Sequence, residues 1–303
     1  MKTVLLTGAT GFIGRHALAP LVARGYQIHA VTTQRQLTLA SDSVVTWHVV
    51  DLLESTQMCA LVDIIHPDSL LHFAWYVEPG KFWNSAENLR WMEASMALMR
   101  AFVDAGGRRM VLAGTCAEYD WSQDVVCIEN KTPLRPATLY GVGKNALRQV
   151  AEAFAASAGL SCAWGRIFSP YGPGEHPRRL VASVINSLLR GEAAPCSHGE
   201  QLRDYMLTAD IADAFVALLD CQVGGPVNIA SGVPVSIKDL VYMIADQLRR
   251  PELIHLGALA AAKDEPLILA ADATRLQSEV NWSPRFDLAA GIAQTIAWWR
   301  SHL

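Results

Sequence analysis

The segment Tyr140-Gly-Val-Gly-Lys144 sets a phenol and an amine four residues apart, so on a helix the two share a face. A tyrosine serves as a general acid–base only when its pKa falls well below about 10, and a neighbouring ammonium favours the phenolate such chemistry needs. Thr115, at the end of the apolar run at 110–114, offers a hydroxyl to a substrate carbonyl beside Tyr140. A second constellation lies near the start. Thr7-Gly8-Ala9-Thr10-Gly11-Phe12-Ile13-Gly14 follows an apolar run and opens a helical stretch. The first glycine suits a tight turn, the second lets backbone N–H groups approach a pyrophosphate, and the third allows close helix–strand packing. A purely structural glycine turn is the alternative. On the binding reading, Gly8, Thr10, Gly11, Phe12, Ile13 and Gly14 hold a dinucleotide, and Tyr140 and Lys144 meet its nicotinamide end.

The residues after the second apolar run select the cofactor. A carboxylate there holds the ribose 2′-hydroxyl and marks NAD. This chain has Thr32-Thr33-Gln34-Arg35, with no acid. Arg35 is suited to a 2′-phosphate and Arg15, next to Gly14, to assisting it, although each also reads as a plain surface residue. The expected cofactor is NADP, with NAD possible. Asp51, followed by Leu52, suits the adenine edge or else caps a helix.

These residues need a scaffold that delivers them to one edge. Residues 3–7, 27–32, 44–50, 69–75, 110–114 and 161–168 are short apolar runs, and 12–24, 88–105 and 137–158 carry helical spacing between them. Strands apolar throughout, separated by helices, imply a parallel sheet covered on both faces, and right-handed crossovers wind it on both sides. The predicted fold is α/β, a Rossmann doubly wound parallel sheet with a smaller C-terminal α/β domain. The turn-rich Ser169-Pro-Tyr-Gly-Pro-Gly174 marks the change of pattern. It divides a dinucleotide-binding domain at 1–168 from a mainly substrate-binding domain at 169–303, some of whose elements pack back on the sheet. Helices are expected there at 179–190, 209–219, 236–248 and 289–302.

Composition excludes several classes. The 303 residues are 51% hydrophobic and 18% charged with a net charge of -4, which describes an ordinary globular protein without broad attraction to nucleic acid or an acidic membrane. The six cysteines form no CxxC pair and the nine histidines no HExxH spacing, so no metal site is expected. Scattered thiols fit a reducing cytoplasm. No run of about 18 apolar residues predicts a membrane span. The opening MKTVLLTGATG reads as a strand entering a turn rather than a signal segment.

In order and spacing, TGATGFIG, Asp51-Leu52, AGTCAEY and YGVGK resemble the extended short-chain dehydrogenase/reductase family, the NAD-dependent epimerase/dehydratase group. RIFSPYGPGE and QLRDYMLTADIADA carry the resemblance over nearly the whole chain. The resemblance implies a Ser/Thr–Tyr–Lys catalytic set, here Thr115, Tyr140 and Lys144, and a sugar-nucleotide substrate. It also implies that Arg203 of Arg203-Asp204-Tyr205 grips a nucleotide phosphate, a task a fork-shaped guanidinium suits. Arg179 would line the nucleotide pocket, and Ser169 and Thr115 would contact the substrate. Ser169 and Trp91 each stand where the family pattern often has Asn. A homodimer paired through helices of the dinucleotide-binding domain is expected.

Three readings of the reaction follow. In the family's sugar 4,6-dehydratases an Asp-Glu pair follows the catalytic Thr, whereas here Cys116-Ala117 hold those places. Elimination of water is therefore disfavoured unless Glu118 takes over. The first reading is an NADP-dependent reductase of a nucleotide-linked 4-keto-6-deoxy sugar, with Tyr140 giving the proton. The second is an NAD(P)-dependent nucleotide-sugar 4-epimerase. The third is a non-catalytic dinucleotide-binding scaffold or regulator, a class that typically lacks the Tyr or Lys retained here. The missing acid after the second apolar run favours the reductase.

Overall fold

The computed structural model describes residues 2–34, 44–123, 125–261 and 265–303. The first five strands are β1 (Lys2–Thr7), β2 (Tyr26–Thr32), β3 (Val45–Val49), β4 (Ser69–His72) and β5 (Arg109–Thr115). Two later strands, Ser161–Ile167 and Gly225–Ile229, complete a seven-stranded sheet. Its order is Gly225–Ile229, Ser161–Ile167, β5, β4, β1, β2, β3, and every pairing is parallel. β1 sits between β4 and β2, so the strand order reverses there and a crevice opens at the carboxyl ends. Every residue of β4 and β5 is buried, which is why neither strand alternates polar with apolar positions.

Helices cover both faces. On one lie α1 (Leu18–Ala23), then α6 (Thr208–Asp220), whose Ile211 and Phe215 pack with Val4, Leu6 and Ile28. On the other lie α2 (Ser55–Ile65), α3 (Glu87–Asp104) and α4 (Leu139–Ala158), where Met99, Phe102 and Leu147 meet Leu5, Leu70 and Leu112. A separate apolar cluster joins α5 (Leu180–Leu189), α7 (Ile237–Leu248) and α9 (Leu288–Arg300) through Val181, Ile185, Leu240, Ile244 and Ile292. The short α8 (Thr274–Ser278) packs beside strand Gly225–Ile229. The sheet is thus finished by chain from beyond residue 169.

Two elements differ from the sequence pattern. The helical stretch at 12–24 begins as a 3-10 turn, Gly14–Ala17, before α1. The glycine loop draws that turn tight: a Cβ on Gly14 would lie 2.2 Å from the Gly8 carbonyl oxygen. The run at 69–75 keeps strand geometry only to His72. Beyond it the chain is caught by β1, with Phe73 N donating to Thr7 O at 3.2 Å and Ala74 N to Thr7 Oγ1 at 3.4 Å.

His72 anchors this junction. Its ring nitrogens meet Thr7 Oγ1 at 2.6 Å and Ser95 Oγ at 2.9 Å. Ser95 donates its own proton to the Trp91 carbonyl at 2.7 Å. His72 Nε2–H must therefore be the donor to Ser95, which leaves Nδ1 to accept from Thr7. A neutral imidazole satisfies this chain completely. Burial, reinforced by the charge of Lys144, pushes the His72 pKa down to about 3.

Two outcomes follow. Gly14→Ala should lose about 1–3 kcal/mol of stability, measured by urea unfolding, because a methyl group cannot fit against backbone. His72 binds a proton in the unfolded chain near its ordinary pKa but in the folded protein only near pH 3, so stability present above about pH 6.5 is lost as pH falls. Between pH 7 and 4.5 the wild type should lose about 2.5 kcal/mol more than His72→Gln. Parallel losses in the two proteins would remove His72 as the cause.

Candidate active site

Three elements converge at the carboxyl edge of the sheet. β5 ends at Thr115, whose Oγ1 accepts from Ala117 N at 3.2 Å and caps the 3-10 turn Cys116–Glu118. α4 begins behind Thr138, whose Oγ1 accepts from Gly141 N at 3.2 Å, and this places Tyr140 and Lys144 in its first two turns. A Cβ on Gly141 would lie 2.4 Å from the Ala117 carbonyl oxygen, so only glycine lets the helix start press against the residues after Thr115. The Thr115 hydroxyl stands near enough to the Tyr140 phenol to draw its pKa down. The proposed catalytic trio is thus assembled at one point.

Electrostatics there depart from the simple expectation that the ammonium acidifies the phenol. Burial raises the Tyr140 pKa, and the Thr115 hydroxyl works in the opposite direction without overcoming it. Lys144 is itself buried, 3% exposed, and desolvation pushes it down to about 7 against the pull of the Glu118 carboxylate. Its Nζ donates to the Ala113 carbonyl at 2.9 Å and lies 3.8 Å from the centre of the Trp75 ring. Phe82, Trp83 and Trp121 add an aromatic wall, with Phe82 4.8 Å and Trp83 5.8 Å from the Tyr140 ring.

Glu118 faces the interior. It is fully buried and accepts from Thr115 N at 2.9 Å, Trp164 Nε1 at 2.7 Å and Arg166 Nε at 2.8 Å. Arg166, also fully buried, reaches on to the Tyr119 hydroxyl at 3.0 Å. Cys116 is buried too, and burial holds its thiol up at about 12.

The glycine loop lies at the edge of β1. Among the described residues the amide groups of Phe12 and Ile13 have no protein acceptor, the property a pyrophosphate-binding turn requires. Thr10 Oγ1 and Thr32 Oγ1 stand 3.4 Å apart, and Gln34 N donates to Thr32 Oγ1 at 3.1 Å. No carboxylate occurs in Thr32-Thr33-Gln34 at this strand end. Arg15 packs 5.7 Å from the centre of the Phe12 ring and donates to the Pro173 carbonyl, tying the glycine loop to the 172–174 turn. Asp51 is exposed and accepts from Leu53 N at 3.0 Å, while Leu52 is buried. Arg35 lies outside the described residues.

A cavity of about 390 Å³ opens beside this centre and gathers Ser169, Glu175, Arg179, Arg203, Tyr205 and Glu265. All three residues expected to contact substrate apart from Thr115 therefore share it. Arg203 Nη2 donates to Glu265 Oε1 at 2.7 Å and to the Pro266 carbonyl at 2.9 Å. Arg179 donates to Glu175 Oε1 at 2.8 Å and to the Pro170 carbonyl at 2.9 Å. Phe168, next to Ser169, has its carbonyl 4.0 Å from Cys116 Sγ, which links the cavity to Thr115. Asp204 of the same segment is structural: it accepts from Ser231 and Gly232.

Residue types alone had not assigned the partners. Glu175 and Glu265 as arginine counter-ions, Glu118 as an internal anchor, and Trp75 against Lys144 come from the fold. Among the described residues no cluster of metal-ligating side chains occurs, and no helix is long and apolar enough to cross a membrane.

Known proteins resemble this chain over its whole length. A dTDP-glucose 4,6-dehydratase of Xanthomonas campestris pv. campestris is 27% identical, covering 99% of this chain and 93% of that protein. The CDP-abequose synthase of Salmonella typhimurium is 24% identical over 97% of each chain. The solved structure of MoeE5 in complex with UDP-glucuronic acid and NAD superposes with a TM-score of 0.84 at 29% identity, covering both chains completely. The sequence profile of the NAD dependent epimerase/dehydratase family matches residues 4–230. With that match, the parallel sheet and the glycine loop, the chain belongs to the NAD dependent epimerase/dehydratase family and is an oxidoreductase-type enzyme of the extended short-chain dehydrogenase/reductase class.

Proposed function

We propose that the protein modifies a nucleotide-linked sugar, and specifically that it reduces the ketone of a 4-keto-6-deoxy sugar nucleotide with NADPH. One observation carries this reading. On this reading Thr115, Tyr140 and Lys144 form a redox set, and among the described residues after Thr115 no carboxylate is free to assist it: Cys116 and Ala117 follow, and Glu118 is bonded into the interior. A sugar could then gain hydride and proton at one carbonyl without losing water from its neighbours.

The bound dinucleotide would supply the hydride. Thr115 would hold the carbonyl oxygen and Tyr140 would give it a proton, while Lys144 orients the pair from beneath. Burial keeps the phenol protonated at the start of the step, and the same burial makes it a reluctant acid, so its pKa must come down when the site is filled. Arg179 and Arg203 would hold the diphosphate in the cavity. The aromatic wall of Phe82, Trp83 and Trp121 favours a sugar face carrying few hydroxyls, since a hydroxyl pressed on an indole loses its hydrogen bonds with water. A relative named as a synthase of CDP-abequose is consistent with nucleotide-sugar work. The acid-free end of β2 supports NADP.

Purified protein with NADPH and a panel of 4-keto-6-deoxy sugar nucleotides tests this. Oxidation of NADPH matched by reduced sugar supports the reading. Isomerised sugar without net cofactor change would instead make it an epimerase, and binding without turnover a scaffold. Tyr140→Phe should lower kcat by about 10²–10⁴-fold with NADPH affinity retained. Arg35→Ala should weaken NADPH more than NADH; equal weakening excludes a 2′-phosphate contact.

A further inference from the structure

The environment of Lys144 is unusual for a buried ammonium. An ammonium has three N–H donors. Among the described residues Lys144 has one hydrogen-bond acceptor, the Ala113 carbonyl of β5 at 2.9 Å. Other groups of charge or titratable character around it are few. Glu118, after β5, acts on it through space; His72, on β4, is neutral; Tyr140 precedes it by one turn on α4. Its Nζ lies over the face of Trp75, 3.8 Å from the ring centre, and 6.0 Å from the centre of the Trp164 ring.

That face is fixed. Trp75 Nε1 donates to Asn88 Oδ1 at 2.9 Å. Asn88 is fully buried and donates in turn to the Phe82 carbonyl at 2.7 Å and the Ser85 carbonyl at 2.9 Å. The indole cannot turn edge-on without breaking this chain. The same Asn88 holds the turn that carries Phe82 and Trp83 to Tyr140. A π face attracts a desolvated cation strongly, most of all when it is an indole.

We propose that Trp75 is a positioning residue for Lys144: its indole face, locked by Asn88, joins the Ala113 carbonyl in holding the amine one helical turn from Tyr140 and stabilises its charged form. The functional part of this statement rests on the role given to Lys144 above; the electrostatic part does not.

The test therefore starts with the ligand-free protein. The titration of Lys144 is followed by NMR of ¹³C-labelled lysine, with Lys144→Met identifying its signal. In Trp75→Leu the midpoint should fall by about one unit relative to wild type, and Trp75→Phe, which keeps a π face, should fall between. Site-specific replacement of Trp75 by increasingly fluorinated tryptophans leaves the shape unchanged and drains the π face, so it should lower the midpoint stepwise even if Trp75→Leu does not fold. Unmoved midpoints across that series would overturn the proposal. In turnover, Trp75→Leu should lose kcat about 10-fold near pH 8 and regain most of it near pH 6, with KM little changed. A loss equal at every pH marks a merely structural residue and also overturns it. Absence of turnover in the wild type would sink the proposed reaction while leaving the titration result to stand or fall alone.

Discussion

A single buried ammonium constrains the whole candidate site. A charge taken out of water costs several kcal/mol unless neighbours replace its solvation. Lys144 is given three replacements from three parts of the chain: the Ala113 carbonyl, the Glu118 carboxylate and the face of Trp75. Two of these come from the end of β5 and one from just beyond β4. A parallel sheet makes that convergence natural, because neighbouring strands finish on the same edge and their exits meet the start of the following helix. The doubly wound topology is thus the means by which residues about 30 to 70 apart in sequence come to surround one nitrogen.

The same need for charge balance explains what the site does not do. Glu118 stands close to where an acid–base carboxylate would be useful, yet its oxygens are occupied by Thr115 N, Trp164 and Arg166. Removing it would leave a fully buried guanidinium unpaired, a change costing about 3–5 kcal/mol. Glu118 is therefore held in place by structure and unavailable to a substrate. Cys116 is no substitute, because a thiol pushed up to about 12 stays protonated at neutral pH. On the proposed reading, the proton for the carbonyl comes from Tyr140, and a reaction needing one proton at one oxygen fits better than one that strips protons from carbon.

Much of this was legible in residue types and spacing. The glycine loop, the Tyr–Lys pair and the Thr at a strand end each carry a local rule, and local rules survive in a linear string. The boundaries of the helices at 137–158 and 236–248 shifted by two residues or fewer, because Thr138 and Ser236 are capping residues whose role is itself local. What stayed hidden depends on distant pairing. Glu118 meets Trp164 and Arg166, 46 and 48 residues away in sequence, and Arg203 meets Glu265 62 residues on. Trp75 was visible as an aromatic after a strand, a pattern shared by ordinary core residues. Only the three-dimensional placement of Lys144 over its ring distinguishes it. The ammonium expected to acidify the tyrosine also misled: spacing shows that Lys144 and Tyr140 are neighbours, but not that both are buried deeply enough for desolvation to dominate each.

On the proposed reading, the cavity arginines place a condition on the ligand. Without ligand, Arg203 is paired with Glu265 and Arg179 with Glu175. An incoming anion meets guanidinium groups that are already neutralised, so a singly charged group gains little over the carboxylate it competes with. A diphosphate differs in two respects. It carries more charge, and its oxygens are spread widely enough to engage both arginines at once, each through a planar fork suited to phosphate. Glu175 is mostly buried and tied to Ala182 N, so it stays in place and keeps Arg179 oriented, whereas Glu265 is the more exposed partner and the freer to yield. The two carboxylates therefore act as a threshold. They keep the arginines ordered in the absence of ligand and reserve the cavity for anions strong enough to compete with both.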